Sequence, residues 1–161
     1  MSQNPNTHSR RLSLIPVFLT SILVLAADRW TKHLALTHLS HETSVPVLPG
    51  IFHFTLVENT GIAFGLFQQH SGVLFLAITV CVIALLYFSG SNHSSSLGQK
   101  VAYGLILGGA IGNWFDRVTV GHVIDFLDFR IWPVFNIADS CISVGVALYL
   151  FATLLEPKHA S

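Results

Sequence analysis

Residues 59–99, NTGIAFGLFQQHSGVLFLAITVCVIALLYFSGSNHSSSLGQ, run for 41 positions without one Asp, Glu, Lys or Arg. Soluble domains carry about a quarter charged residues, so a gap of this length is foreign to a water-facing surface. The rest of the chain repeats the pattern. It has 161 residues, 52% hydrophobic and 10% charged, with further uncharged windows at Leu12–Ala27, Val101–Phe115 and Ser140–Leu155. A helix crossing a hydrocarbon core of about 30 Å needs about 20 residues, so each window must draw in polar residues at its ends. The fold class that follows is a membrane protein, mainly α. One integral membrane domain, 1–161, holds four transmembrane helices near 12–31, 72–89, 97–116 and 136–155.

Composition excludes several functions. Eight Lys/Arg balance eight Asp/Glu, so no basic field exists to hold nucleic acid. Cys81 and Cys141 stand alone, and the nine histidines form no i, i+4 pair inside a span, so no metal and no cofactor are expected. Arg10-Arg11 ahead of the first window also fits a cleavable leader, but three more spans follow and an uncleaved anchor serves equally.

The positive-inside count is tied. Arg10, Arg11, Lys100 and Lys158 lie on one side, and Arg29, Lys32, Arg117 and Arg130 on the other. Three of the first group are in the tails, whereas Arg29, Lys32 and Arg117 adjoin Asp28 or Asp116 and read as structural partners. Both termini are therefore placed in the cytoplasm. On the outer side, apolar and polar residues alternate around Val45–Val57, with Pro46, Pro49 and Gly50 as turn formers. That predicts a small extracytoplasmic β-sheet near 40–65, between helices one and two. Gly121–Phe135, rich in Phe and Ile and carrying Trp132-Pro133, reads as an interfacial loop. Gly104, Gly108 and Gly112, with Gly109 beside them, give span three a small-residue face for close helix packing.

The remaining acids carry the chemistry. Asp28, Asp116 and Asp139 fall inside or at the margin of the membrane, where ionisable groups are costly and functional by default. Asp116 beside Arg117 reads as a structural pair or a headgroup contact. Asp139 is in the first turn of span four, which favours a negative charge. The chain between spans three and four must return to the membrane near where it left, so Asp125 and Asp139 can meet at one outer site. Two carboxylates in one site share a proton, the arrangement of an aspartic protease. The same pair would also serve a small proton- or ion-coupled transporter. Residues 12–71 and 97–155 show no internal repeat to support that alternative. Asp128 is read as an exposed loop acid outside the pair.

Five stretches then match one family in order: Asp28-Arg29-Trp30-Thr31-Lys32, Glu58–Gly65, Gly112–Arg117, Val123–Phe126 and Phe135–Ser140. Together they resemble the motif set of bacterial lipoprotein signal peptidase (signal peptidase II), over nearly the whole chain beyond the first ten residues. The resemblance implies an intramembrane aspartyl endopeptidase with four transmembrane helices and a periplasmic β-cradle. It would cut lipid-modified prolipoproteins just before the diacylglyceryl cysteine, as a monomer in the bacterial cytoplasmic membrane among membrane lipids. The family's catalytic pair falls on Asp125 and Asp139. Its supporting residues fall on Asp28, Lys32, Asn59, Asn113, Arg117 and Asn136, with Gly61 in the second motif and Phe64 expected to meet signal peptide or acyl chain. Two departures stand out: Arg29 where family members usually carry Gln, and a shorter stretch between Asp125 and Asp139.

Overall fold

The computed structural model describes residues 5–41, 43–61, 80, 84 and 96–154. In chain order these form α1 (Pro5–His38), β1 (Val45–Leu48), β2 (Phe52–Asn59), α2 (Leu97–Thr119), β3 (Val123–Asp128) and α3 (Ile137–Leu154). The expected span at 72–89 lies outside the described residues except for Val80 and Ala84, both helical, and Phe64 lies outside them too.

Among the described residues, two helices are long and apolar enough to cross a membrane, Leu14–His38 and Ile137–Leu154. The expected third span, α2, has 23 residues, but glycines together with Gln99, Lys100 and Asn113 dilute its hydropathy. Where the fold faces outward it is apolar. Phe18, Leu19, Ile22 and Leu23 of α1 and Val144, Leu150, Phe151 and Leu154 of α3 are exposed, while Asp28, Lys32 and Asp116 are almost fully buried. A soluble protein buries the first kind and exposes the second. Such a surface suits lipid.

α1 runs seven residues past the expected end at Thr31, whose hydroxyl is accommodated within the helix by donating to the Ala27 carbonyl at 2.8 Å. α2 begins where the polar stretch 91–96 ends, in a capping box: Ser96 Oγ accepts from the Gln99 N–H, and the Gln99 side chain accepts from the Ser96 N–H. α2 lies between the other two helices. A Cβ at Gly108 would sit 2.7 Å from the Ser21 carbonyl oxygen of α1, and one at Gly109 would sit 2.5 Å from the Ala138 carbonyl of α3. Only glycine permits approach this close on both sides of α2. Ser21 Oγ adds a hydrogen bond across the first contact, to the Gly104 carbonyl at 3.1 Å.

The sheet has the order β1-β2-β3, antiparallel throughout. Its third strand corrects the sequence reading, which took Gly121–Phe135 as loop. Val57 pairs with Asp125 and Asn59 with Val123, and Phe135 closes the far edge against Leu127. Nearly every residue of β3 is buried, so the polar–apolar alternation that marks a half-exposed strand is missing. Ile124 and Phe126 pack with Ala35 and Leu56. Asp125 points to the opposite face.

Candidate active site

The turn from β3 into α3 determines the site. Asn136 caps α3 and Asp139 is the third residue of that helix. The Asp139 N–H donates to Asn136 Oδ1 at 2.9 Å, and the Asn136 N–H donates back to Asp139 Oδ2 at 3.3 Å. This is a capping box with an acid at its third position. The Asn136 amide Nδ2 donates to Asp125 Oδ1 at 2.6 Å. One fully buried asparagine therefore bridges both acids.

Two further amides complete the carboxylate environment. Asn59 Nδ2 donates to Asp125 Oδ2 at 2.9 Å, and its Oδ1 accepts the Gly61 N–H at 3.0 Å, which fixes the amide's orientation. Asn113 Nδ2 donates to Asp139 Oδ1 at 2.7 Å. Its Oδ1 accepts from Lys32 Nζ and from Asn136 Nδ2, each at 3.0 Å. A lysine can only donate, so Lys32 sets which way Asn113 points.

Burial raises the Asp125 pKa to about 7; the Asn59 hydrogen bond opposes the rise and the charge of Asp139 adds to it. Asp125 and Asp139 open into a cavity of about 270 Å³, walled on the polar side by Asn59, Asn113 and Arg117 and on the apolar side by Trp132, Pro133 and Ile142. A larger cavity, about 510 Å³, lies between the C-terminal end of α1 and the sheet, among Leu34, Leu39, Phe54 and Phe126. Among the described residues its lining holds no acid, whereas the smaller cavity is lined by Asp125 and Asp139.

Beneath the site sits a knot of four charges. Lys32 Nζ lies 3.0 Å from Asp28 Oδ2 and 2.7 Å from Asp116 Oδ2. Arg29 Nη2 lies 3.1 Å from Asp28 Oδ2 and 2.5 Å from Asp116 Oδ1. Asp28 Oδ1 also accepts the Ala138 N–H at 3.2 Å, so an acid of α1 caps the helix that carries Asp139. This corrects the expected Asp116–Arg117 pair. Arg117 donates instead to the Gly61 carbonyl at 3.0 Å and the Asn113 carbonyl at 3.3 Å, tying the end of β2 to α2.

Asp128 also differs from expectation: it is buried, not exposed. Its Oδ2 accepts from Thr55 Oγ1 at 2.7 Å and from Arg130 Nη1 at 3.0 Å, and Oδ1 accepts the Arg130 N–H at 2.8 Å. Burial pushes its pKa up, but the hydrogen bonds from Thr55 and Arg130 and the charge of Arg130 outweigh that and hold it below the usual value. It serves the sheet, away from the cavity lining. Among sequence-expected residues, the structure brings together Asp125, Asp139, Asn59, Asn113 and Asn136, with Arg117 and Gly61 at the rim and Asp28 and Lys32 behind. Arg29 and Asp116, read from the sequence only as structural partners of adjacent charges, were not expected to join Asp28 and Lys32 in that support. The signal was present: Asp28 and Lys32 are four apart on one helix face in an apolar run, a buried pair that requires further partners.

Comparison with known proteins shows the family to which the chain belongs. The family model described as Signal peptidase (SPase) II matches residues 20–155. The lipoprotein signal peptidase of Halothermothrix orenii is 40% identical over 144 residues, covering 88% of this chain and 97% of that protein. The lipoprotein signal peptidase of Gloeobacter violaceus is 44% identical over 144 residues, covering 85% and 80%. A solved bacterial membrane enzyme, determined by the in meso method at 2.3 Å, is 32% identical and superposes with a TM-score of 0.80, covering 90% of this chain and 94% of that one. The chain belongs to the signal peptidase II family and is a membrane peptidase.

Proposed function

We propose that this chain is an intramembrane aspartyl endopeptidase, with Asp125 and Asp139 as its catalytic pair. It removes the signal peptide from diacylglyceryl-modified prolipoproteins, cutting before the lipidated cysteine. The observation that carries this is the convergence of two carboxylates on one cavity, bridged by Asn136 and each held by a second amide.

The roles divide by environment. Asp139, whose carboxylate accepts from Asn113 Nδ2 and the Asn136 N–H, acts as the base. Asp125, with a pKa near 7, holds the shared proton at neutral pH. Water bonds to the scissile carbonyl carbon and gives a proton to Asp139, while Asp125 protonates the carbonyl oxygen. As the diol collapses, the C–N bond breaks. Asp139 then passes its proton to the departing amine, and Asp125 takes one back from the diol hydroxyl. Neither a metal nor a nucleophilic side chain takes part.

Four spans with both termini in the cytoplasm place the pair at the outer face of the cytoplasmic membrane, where a lipidated cysteine arrives. One chain supplies every residue of the pair and its supports, so a monomer suffices. The test is incubation of the purified protein with a diacylated prolipoprotein. Release of the intact signal peptide is expected, and its absence with a folded enzyme would defeat the reading.

A further inference from the structure

Arg29 takes no part in the chemistry above, yet it completes a closed set of charges. Lys32 Nζ has three protons and three acceptors, Asp28 Oδ2, Asp116 Oδ2 and Asn113 Oδ1, and is saturated. Arg29 Nη2 supplies the second cation to both acids, and its guanidinium lies 5.0 Å over the Phe115 ring. Its Nε is buried without a hydrogen bond, so charge and stacking hold Arg29 rather than a full set of donors. Two acids and two cations leave the knot neutral. The side chains of Asp28, Lys32 and Asp116 are 2% exposed or less and that of Arg29 is 30% exposed, so water screens the three buried charges poorly and reaches the knot only at Arg29. The knot touches the catalytic pair's supports twice: Lys32 through Asn113 to Asp139, and Asp28 through the N–H of Ala138, the residue before Asp139.

We propose that Arg29 is a positioning residue that balances the buried charge beneath the catalytic pair and thereby, through Lys32, Asn113 and Asn136, shifts the alkaline limit of cleavage. This rests on the proposed function. Removing the Arg29 charge leaves the knot with one net negative charge, which favours the protonated form of Asp125 and moves the alkaline limit up. Neutralising Asp116 with Arg29 in place leaves one net positive charge and moves the limit down. Among the described residues, the charged groups around the pair are Asp28, Arg29 and Lys32 from α1 and Asp116 and Arg117 from α2, while Glu58 of β2, paired across from Ile124, and Asp128 of β3, held by Thr55 and Arg130, turn away from it. His122 in the turn before β3 lies 3.7 Å from Glu58, and Cys141 is on α3. Only the α1–α2 set changes in the test.

The experiment is prolipoprotein cleavage by the purified full chain from about pH 5 to 9. It uses wild type, Arg29→Gln, Arg29→Lys, Asp116→Asn and the double variant Arg29→Gln/Asp116→Asn. Arg29→Gln should raise the alkaline limit by about half a pH unit or more, and Asp116→Asn should lower it by a similar amount. Arg29→Lys and the double variant, both neutral knots, should keep the wild-type limit. A structural arginine would lower melting temperature and cleavage alike at every pH. Unmoved limits in the single variants therefore overturn the proposal, and Asp116→Asn decides alone if Arg29→Gln does not fold. Wild-type cleavage with unmoved limits sinks this inference only. A wild type that cleaves no prolipoprotein sinks the functional reading, and this inference with it.

Discussion

Asn136 holds Asp139 in a reciprocal cap, accepting its N–H at 2.9 Å and donating its own N–H to the Asp139 carboxylate at 3.3 Å. The same side chain donates to Asp125 at 2.6 Å, so the register between β3 and α3 is also the register between the two acids. Asn136→Ala removes a helix cap, worth about 1 kcal/mol, and strips a donor from a buried carboxylate, at about 1–3 kcal/mol more. Cleavage should fall by at least ~100-fold, with a clear loss of melting temperature. Asn136→Asp keeps the cap but sets a third carboxylate against Asp125, and should be equally inactive. An active Asn136→Asp enzyme would mean the amide donor to Asp125 is dispensable.

Asp125 makes activity and stability depend on pH in a stated direction. Its folded pKa, about 7, lies above the usual 3.8, so the folded state holds a proton that the unfolded chain has released. Its contribution is therefore fully present below about pH 4 and is lost as pH rises toward about 7. On the proposed mechanism cleavage should decline as pH rises through about 7, where Asp125 loses the proton it donates. Thermal unfolding of wild type and Asp125→Asn across this window checks the first point. The wild type should lose stability relative to the variant as pH rises, and a constant difference would contradict the assignment.

The sequence made the membrane class, the motif residues and the paired acids legible, because uncharged windows and in-order motifs are local signals. β3 was not legible. Asp125 and Asp128 sit in a strand buried on both faces, where the period-2 pattern disappears and pairing to β2 decides the structure. The Asp116 partner was also misjudged. Adjacent residues on a helix point in different directions, so Asp116 turns to α1 while Arg117 turns to Gly61. Asp28 looked like an acid at the end of span one, but α1 continues ten residues past it and buries it completely.

Asp28→Asn should damage folding more than chemistry. It breaks a buried ion pair, which costs about 3–5 kcal/mol, and weakens the cap on α3. Melting temperature and yield should drop sharply, while turnover per folded molecule stays within about tenfold of wild type. Normal stability combined with lost turnover would put Asp28 into the chemistry.

Asp128→Asn should keep most activity and lose stability. Asp128 holds Thr55 and Arg130 and lies away from the cavity lining, so its loss loosens the sheet edge by about 1–2 kcal/mol. Its pKa is held low, so its stabilisation is present at neutral pH and is lost as pH falls through the folded value. The destabilisation of Asp128→Asn should accordingly shrink in acid. A well-folded but inactive variant would contradict this placement.

The most direct measurement is prolipoprotein cleavage by purified Asp125→Asn, Asp139→Asn and the double variant, each shown folded by thermal unfolding. If the two acids act as one unit across Asn136, as proposed, each single variant loses at least ~100-fold in rate and the double variant is little worse than either. Substantial cleavage by either folded single variant would contradict the catalytic pair.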